Sequence, residues 1–125
     1  MIKLVYCVRR RADVPAPEFH RYWLEEHGPL VRGFAEDMRA VRYVQSHTTL
    51  PEINEGFRTG RGLAEPYDGI TEVWWESADA LAAGGATEAG REAARRLQED
   101  EASFIDFSRS RVFLTEEHEI FDLRT

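Results

Sequence analysis

Residues 18–33 read EFHRYWLEEHGPLVRG. Apolar side chains recur in this stretch at helical spacing. At about 100° per residue, Phe19, Trp23, Leu30 and Phe34 fall within a stripe of roughly 60°. This predicts a helix from about Pro17 to Met38. Pro15 and Pro17 suit its approach and first turn, where a missing N–H costs little. His27 falls just beside the stripe and is followed at once by Gly28 and Pro29. Pro29 has no N–H to offer the Glu25 carbonyl, so a kink or break is expected there. A ring that titrates near neutrality, set beside an apolar face at a helix break, is the first candidate for chemistry.

The flanking segments alternate. In IKLVYCVR (2–9), Ile2, Leu4, Tyr6 and Val8 share one face, and Lys3, Val5, Cys7 and Arg9 the other. In AVRYVQSHT (40–48), Val41, Tyr43, Gln45 and His47 oppose Arg42, Val44, Ser46 and Thr48. In DGITEVWWE (68–76), Ile70, Glu72 and Trp74 oppose Thr71, Val73 and Trp75. Residues 49–66 carry Pro, Gly and Asn without a clear period and read as a long loop. Ser77 is placed as a helix N-cap, with Gly84-Gly85 as the stop, and Thr87 caps a second stretch, EAGREAARRLQEDEASF. Residues 109–121 supply the last strand or strands. The order β-α-β-β-α-β is the ferredoxin-like, split βαβ pattern, an α+β fold with a four-stranded antiparallel sheet and helices on one face. The first and third strands are apolar on both sides. The outer face therefore needs cover, and a homodimer with two sheets face to face is expected to supply it.

Composition narrows the function classes. A chain of 125 residues fits one domain, 1–125. A net charge of −7 argues against nucleic acid, whose phosphates are bound mainly by Lys and Arg. The single cysteine, Cys7, excludes an internal disulfide and a zinc-finger ligand set. In EEHE (116–119), neighbours on a strand point to opposite faces, so no metal site is expected. No apolar run approaches the roughly 20 residues of a membrane span. The N-terminus lacks the cleavage pattern expected of a signal peptide, and a cytoplasmic location is the default expectation. There is no dinucleotide, Walker or nucleophile-elbow motif, and no cofactor is expected.

Among the candidates, His27 is the general acid/base. Its structural alternative is a ring that bonds a freed carbonyl and fixes the kink. Tyr43 and His47 share one strand face. If that face meets the helices, both reach a cleft with His27 and orient a substrate oxygen. Tyr22 and Trp23 flank His27 and are candidate substrate contacts. Trp74 and Trp75 point to opposite faces, so one faces the helices and is placed to stack on an aromatic ligand. Glu72, in mid-strand, gains an elevated pKa if its face lines an apolar cleft. Packing is the alternative for the tryptophans, and a strand end or dimer interface for His47. His20 and His118 are expected to be exposed.

The combination FHRYWLEEHGPLV with YDGITEVWWES resembles the EthD family, part of the dimeric α+β barrel superfamily. The pattern Y-W-x-x-x-H-G-P-L-V is carried by Tyr22, Trp23, His27, Gly28, Pro29, Leu30 and Val31. The resemblance implies a dimer with a ligand cleft between each sheet and its helices. Relatives by fold include cofactor-free monooxygenases, isomerases, polyketide cyclases and haem-handling proteins, and fold analogy does not choose among them. The leading expectation is a cofactor-independent lyase, isomerase or cyclase moving a proton on an aromatic or polyketide-like carbonyl compound. The alternatives are a cofactor-free or haem-linked oxygenase and a non-catalytic small-molecule-binding accessory protein.

Overall fold

In the computed structural model, which describes residues 1–125, four strands form one antiparallel sheet. They are β1 (Ile2–Val8), β2 (Arg42–His47), β3 (Gly69–Trp75) and β4 (Arg111–Thr115), in the order β2-β3-β1-β4. The helices are α1 (Ala16–Tyr22), a π-helical turn (Trp23–His27), α2 (Gly28–Met38), α3 (Pro51–Arg61), α4 (Ala78–Ala86) and α5 (Glu88–Glu101). Ser77 and Thr87 cap α4 and α5, accepting from the Ala80 and Gly90 N–H groups. The expected α+β architecture is the one observed.

Strand register decides the two sheet faces. Leu4 lies opposite Val73 and Tyr6 opposite Thr71, while Tyr43 and Gln45 lie opposite Val73 and Thr71 from the other side. With Val8, His47 and Trp75, these residues form the face under the helices. Lys3, Val5, Cys7, Ile70, Glu72 and Trp74 form the outer face. The tightest core, Val8, Phe19, Trp23, Phe104 and Ile105, sits where α1 and the chain after α5 meet β1. Backbone pairing locks that corner. Arg11 N–H donates to the Phe104 carbonyl and Asp106 N–H to the Arg9 carbonyl.

The first helical region departs from expectation in an informative way. It does not break: α1, the π-helical turn and α2 follow one another without a gap. Gly28 N–H donates to the Trp23 carbonyl, five residues back, so one turn is widened around the missing Pro29 donor. This resets the phase of the helix. In an uninterrupted α-helix every fourth residue drifts about 40°. The wide turn takes part of that drift back, and Phe19, Trp23, His27 and Val31 are all buried. Val31 takes the inward place expected of Leu30, and His27 moves from beside the stripe into its centre.

Three other expectations are corrected. Residues 49–66 are not all loop: α3 starts with Pro51 in its first turn and ends at Gly62, whose φ of 65° only glycine adopts freely. Its apolar stripe is only Ile53 and Phe57, and both are half exposed, so the period was too thin to read. Gly84-Gly85 do not end α4. A Cβ on Gly84 would stand 2.3 Å from the Met38 carbonyl oxygen, so this glycine lets α4 close against the end of α2. Of 109–121, only Arg111–Thr115 is strand. No helix is long and apolar enough to cross a membrane.

Candidate active site

The helices cover β2, β3 and β1 but leave β4 at the edge, where Val112 and Leu114 stay more than half exposed. Between the sheet and α2 and α5 lies a cleft of about 480 Å³. That is within the range of about 300–1,000 Å³ common for small-ligand sites. Leu4, Val31, Met38, Val73, Trp75 and Leu97 give it apolar walls, and Phe107, Ser110 and Val112 line it beside the β4 edge. Its polar lining comprises Tyr6, His27, Tyr43, Thr71 and Glu101, together with Gln98 and Arg111 and the Ser110 already named.

His27 is 4% exposed. Its Nδ1 lies 2.7 Å from Asp100 Oδ2. Tyr22 Oη donates to the other carboxylate oxygen of Asp100 at 2.5 Å. A carboxylate that accepts on both oxygens makes His27 Nδ1 the protonated nitrogen and leaves Nε2 as the basic one. Nε2 lies 4.0 Å from Glu101 Oε2, too far for a direct bond and close enough for one substrate atom to touch both. Burial lowers the His27 pKa, and Asp100 opposes that shift. Burial pushes the Glu101 carboxyl up to about 7, with the hydrogen bond from Tyr6 pulling the other way. The Tyr6 hydroxyl is raised further above its ordinary range, first by burial and then by Glu101.

This arrangement holds a base and an acid side by side. Neutral His27, oriented by a carboxylate, accepts a proton at Nε2. Glu101, protonated below about pH 7, returns one or donates a hydrogen bond. The surrounding apolar walls strengthen both effects. No group of three or more His, Cys, Asp and Glu side chains is disposed to hold a metal.

The structure brings together part of the expected constellation. His27, Tyr43, Trp23 and Trp75 line the cleft. Tyr22 stands behind His27, on Asp100. His47 faces the helices as Tyr43 does, but it does not line the cleft. It lies on the Trp23 ring with centroids 4.3 Å apart and bonds to His20, which is half-buried and not exposed. Glu72 and Trp74 are on the outer face, because Tyr43 and Thr71 set the opposite parity inward. Glu72 pairs with Lys3 at 2.7 Å. Trp74 is covered by Arg42 and Lys3 and donates to Glu117.

Asp100, Glu101 and Tyr6 were missed. Tyr6 stood on one alternating face of β1 and was given no role. The acidic pair had a signal. Ala93, Leu97 and Phe104 mark the buried face of α5 and its end. Asp100 and Glu101 fall three and four residues beyond Leu97, on that same face. A carboxylate pair on an apolar stripe is the pattern to look for.

Solved structures agree with this fold. An EthD family protein from Bacillus halodurans C-125 superposes with a TM-score of 0.62 at 17% identity, over 94% of this chain and 99% of that one. An EthD-like protein from Ralstonia eutropha JMP134 gives 0.59 at 12% identity, over 98% and 97%. SnoaB, a cofactor-independent oxygenase from Streptomyces nogalater, gives 0.54 at 13% identity, over 94% and 93%. No curated protein matches the chain. The model of the EthD domain matches residues 11–108, a span that holds the Tyr22–Val31 motif, His27 and both α5 carboxylates. The chain belongs to the EthD family.

Proposed function

We propose that the cleft is an active site for proton transfer on an apolar, ring-sized carbonyl or phenolic compound. The carrying observation is the His27–Asp100 pair with Nε2 open beside Glu101 in an apolar cleft. His27 removes a proton from carbon or from a phenol, Glu101 supplies one to the developing oxyanion, and Tyr43 orients that oxygen. An isomerase, cyclase or lyase needs these steps. A second reading is favoured by the likeness to SnoaB. The same deprotonation makes an electron-rich anion able to react with dioxygen, so the site serves a cofactor-independent oxygenase as well.

The distinguishing experiment is turnover of aromatic ketones, lactones and polyketide-like phenols in air and without oxygen, with His27→Ala alongside. Turnover that needs no oxygen supports the isomerase, cyclase or lyase reading. Turnover with oxygen uptake supports the oxygenase. Binding without turnover in both proteins would leave a small-molecule carrier and sink the catalytic reading.

The same proposal includes a homodimer formed through the outer sheet face. Phe113 and Ile70 are exposed there, and Ile120, Phe121 and Leu123 project from the segment after β4. Light scattering is expected to give twice the 14.4 kDa chain mass, and a monomer at micromolar concentration contradicts it.

A further inference from the structure

A second polar cluster lies against Trp23. Gln45 Nε2 is 2.8 Å from the Trp23 carbonyl oxygen and 2.9 Å from Tyr43 Oη. Gln45 Oε1 is 2.8 Å from His47 Nε2. His47 Nδ1 is 2.8 Å from His20 Nδ1. With His47 neutral, these four contacts assign the donors and acceptors along the chain of hydrogen bonds. A carbonyl only accepts, so the Gln45 atom facing Trp23 is the amide nitrogen. Its two protons go to the Trp23 carbonyl and the Tyr43 hydroxyl. Oε1 therefore accepts, and His47 carries its proton at Nε2. With His47 neutral, its Nδ1 is an acceptor, and His20 must carry a proton at Nδ1. The Tyr43 oxygen is used as an acceptor by Gln45. Its own proton is left for another acceptor: Tyr43 also meets the Trp23 indole, which can only donate, the Thr71 hydroxyl, and the cleft it lines.

We propose that His47, held by His20, is a positioning residue of the cleft: it locks the Gln45 amide, and the amide commits the Tyr43 hydroxyl to donate on the cleft side. The proposal rests on the reading of the cleft as a carbonyl site. It explains why two rings outside the cleft are paired at hydrogen-bond distance. It also ties the widened helical turn to the site, because the Trp23 carbonyl that accepts from Gly28 also anchors Gln45.

Nitrogen-15 NMR of the ring nitrogens on the full chain reads the lock without any substrate. The neutral tautomers expected are Nε2–H for His47 and Nδ1–H for His20, the latter the less common form of a histidine in water. The reverse pair overturns the lock whatever the cleft does. A binding arm uses 1-tetralone and its methylene analogue tetralin, followed by tryptophan fluorescence. Wild type is expected to prefer the ketone by about tenfold, the worth of one hydrogen bond. Tyr43→Phe removes that preference. His47→Phe keeps a ring on Trp23 and removes most of it. His47→Gln, with an N–H donor near the Nε2 position, restores it. An unchanged preference in His47→Phe, or none in wild type, overturns the positioning role. The expected tautomers and preference with no turnover of any compound would support the lock and defeat only the enzymatic reading.

Discussion

Two buried or half-buried histidines lie between the sheet and its helices, and they do different work. His27 ends the widened turn, with a carboxylate on one nitrogen and the cleft on the other. His47 ends β2, with an imidazole on one nitrogen and an amide on the other, and Trp23 lies on its ring. The residue type is the same, yet only His27 keeps a basic nitrogen toward the ligand space. Partners, and not identity, decide which histidine is a base.

The largest expected effect separates the two. His27→Ala is expected to lower turnover by about 10²–10⁴-fold while ligand binding persists, measured by kcat against Kd. His47→Phe is expected to cost about tenfold. Equal losses would erase the distinction. Asp100→Asn still accepts from His27 but no longer bears its charge. It is expected to lower kcat by about 10–100-fold with stability nearly unchanged. Asp100→Ala leaves His27 Nδ1–H and Tyr22 Oη without a partner and is expected to cost about 2 kcal/mol in denaturant titrations.

Gly69→Ala probes the packing on Trp23. A Cβ there would stand 2.4 Å from the Trp23 ring and 2.7 Å from the Ser46 carbonyl oxygen. It is expected to destabilise the protein by about 1–3 kcal/mol and to disturb both histidine environments.

The pH dependence follows from the two shifted groups. Lowered from 6.5, His27 is a neutral base once the pH exceeds its depressed pKa, and activity rises on that limb. Glu101 loses its proton as pH passes about 7, and activity falls on that limb. Glu101→Gln is expected to reduce turnover about tenfold and to abolish the alkaline limb. The stability sign is also fixed. A folded pKa above the unfolded value gives stability that is full below the unfolded pKa and is lost as pH rises through about 7. Glu101→Gln is therefore expected to gain on the order of 2 kcal/mol over wild type at pH 9, and this gain disappears at pH 4. The smallest effect belongs to the outer face. Glu72→Gln removes the charge from a partly buried pair with Lys3 but keeps a hydrogen-bond acceptor there, and is expected to change stability by about 1 kcal/mol.

The sheet was legible because strand alternation survives tertiary context: each of the four strands falls within a segment read as one. Parity alone, however, does not say which face meets the helices. Glu72 and Trp74 were therefore placed with the site and belong outside it. His27 was legible from Gly28-Pro29, but that pair widens one turn and does not break the helix. The Gly28 N–H finds the Trp23 carbonyl five residues back, a choice made by packing on the sheet. α3 escaped notice because its stripe is two residues wide. Asp100 and Glu101 escaped notice because acidic residues at a helix end read as solvated. Only the pairing of residues 9–11 with 104–106 shows that this end is turned inward.

The central claim, that His27 is a base facing a carbonyl site, is tested most directly by exchange. 1-Tetralone is incubated with the protein in D₂O, and loss of its α-proton signal is followed by NMR. The account predicts deuterium uptake well above the buffer rate with wild type, and uptake at the buffer rate with His27→Ala although the ketone still binds. Equal uptake in the two proteins, or none in either despite binding, would contradict it.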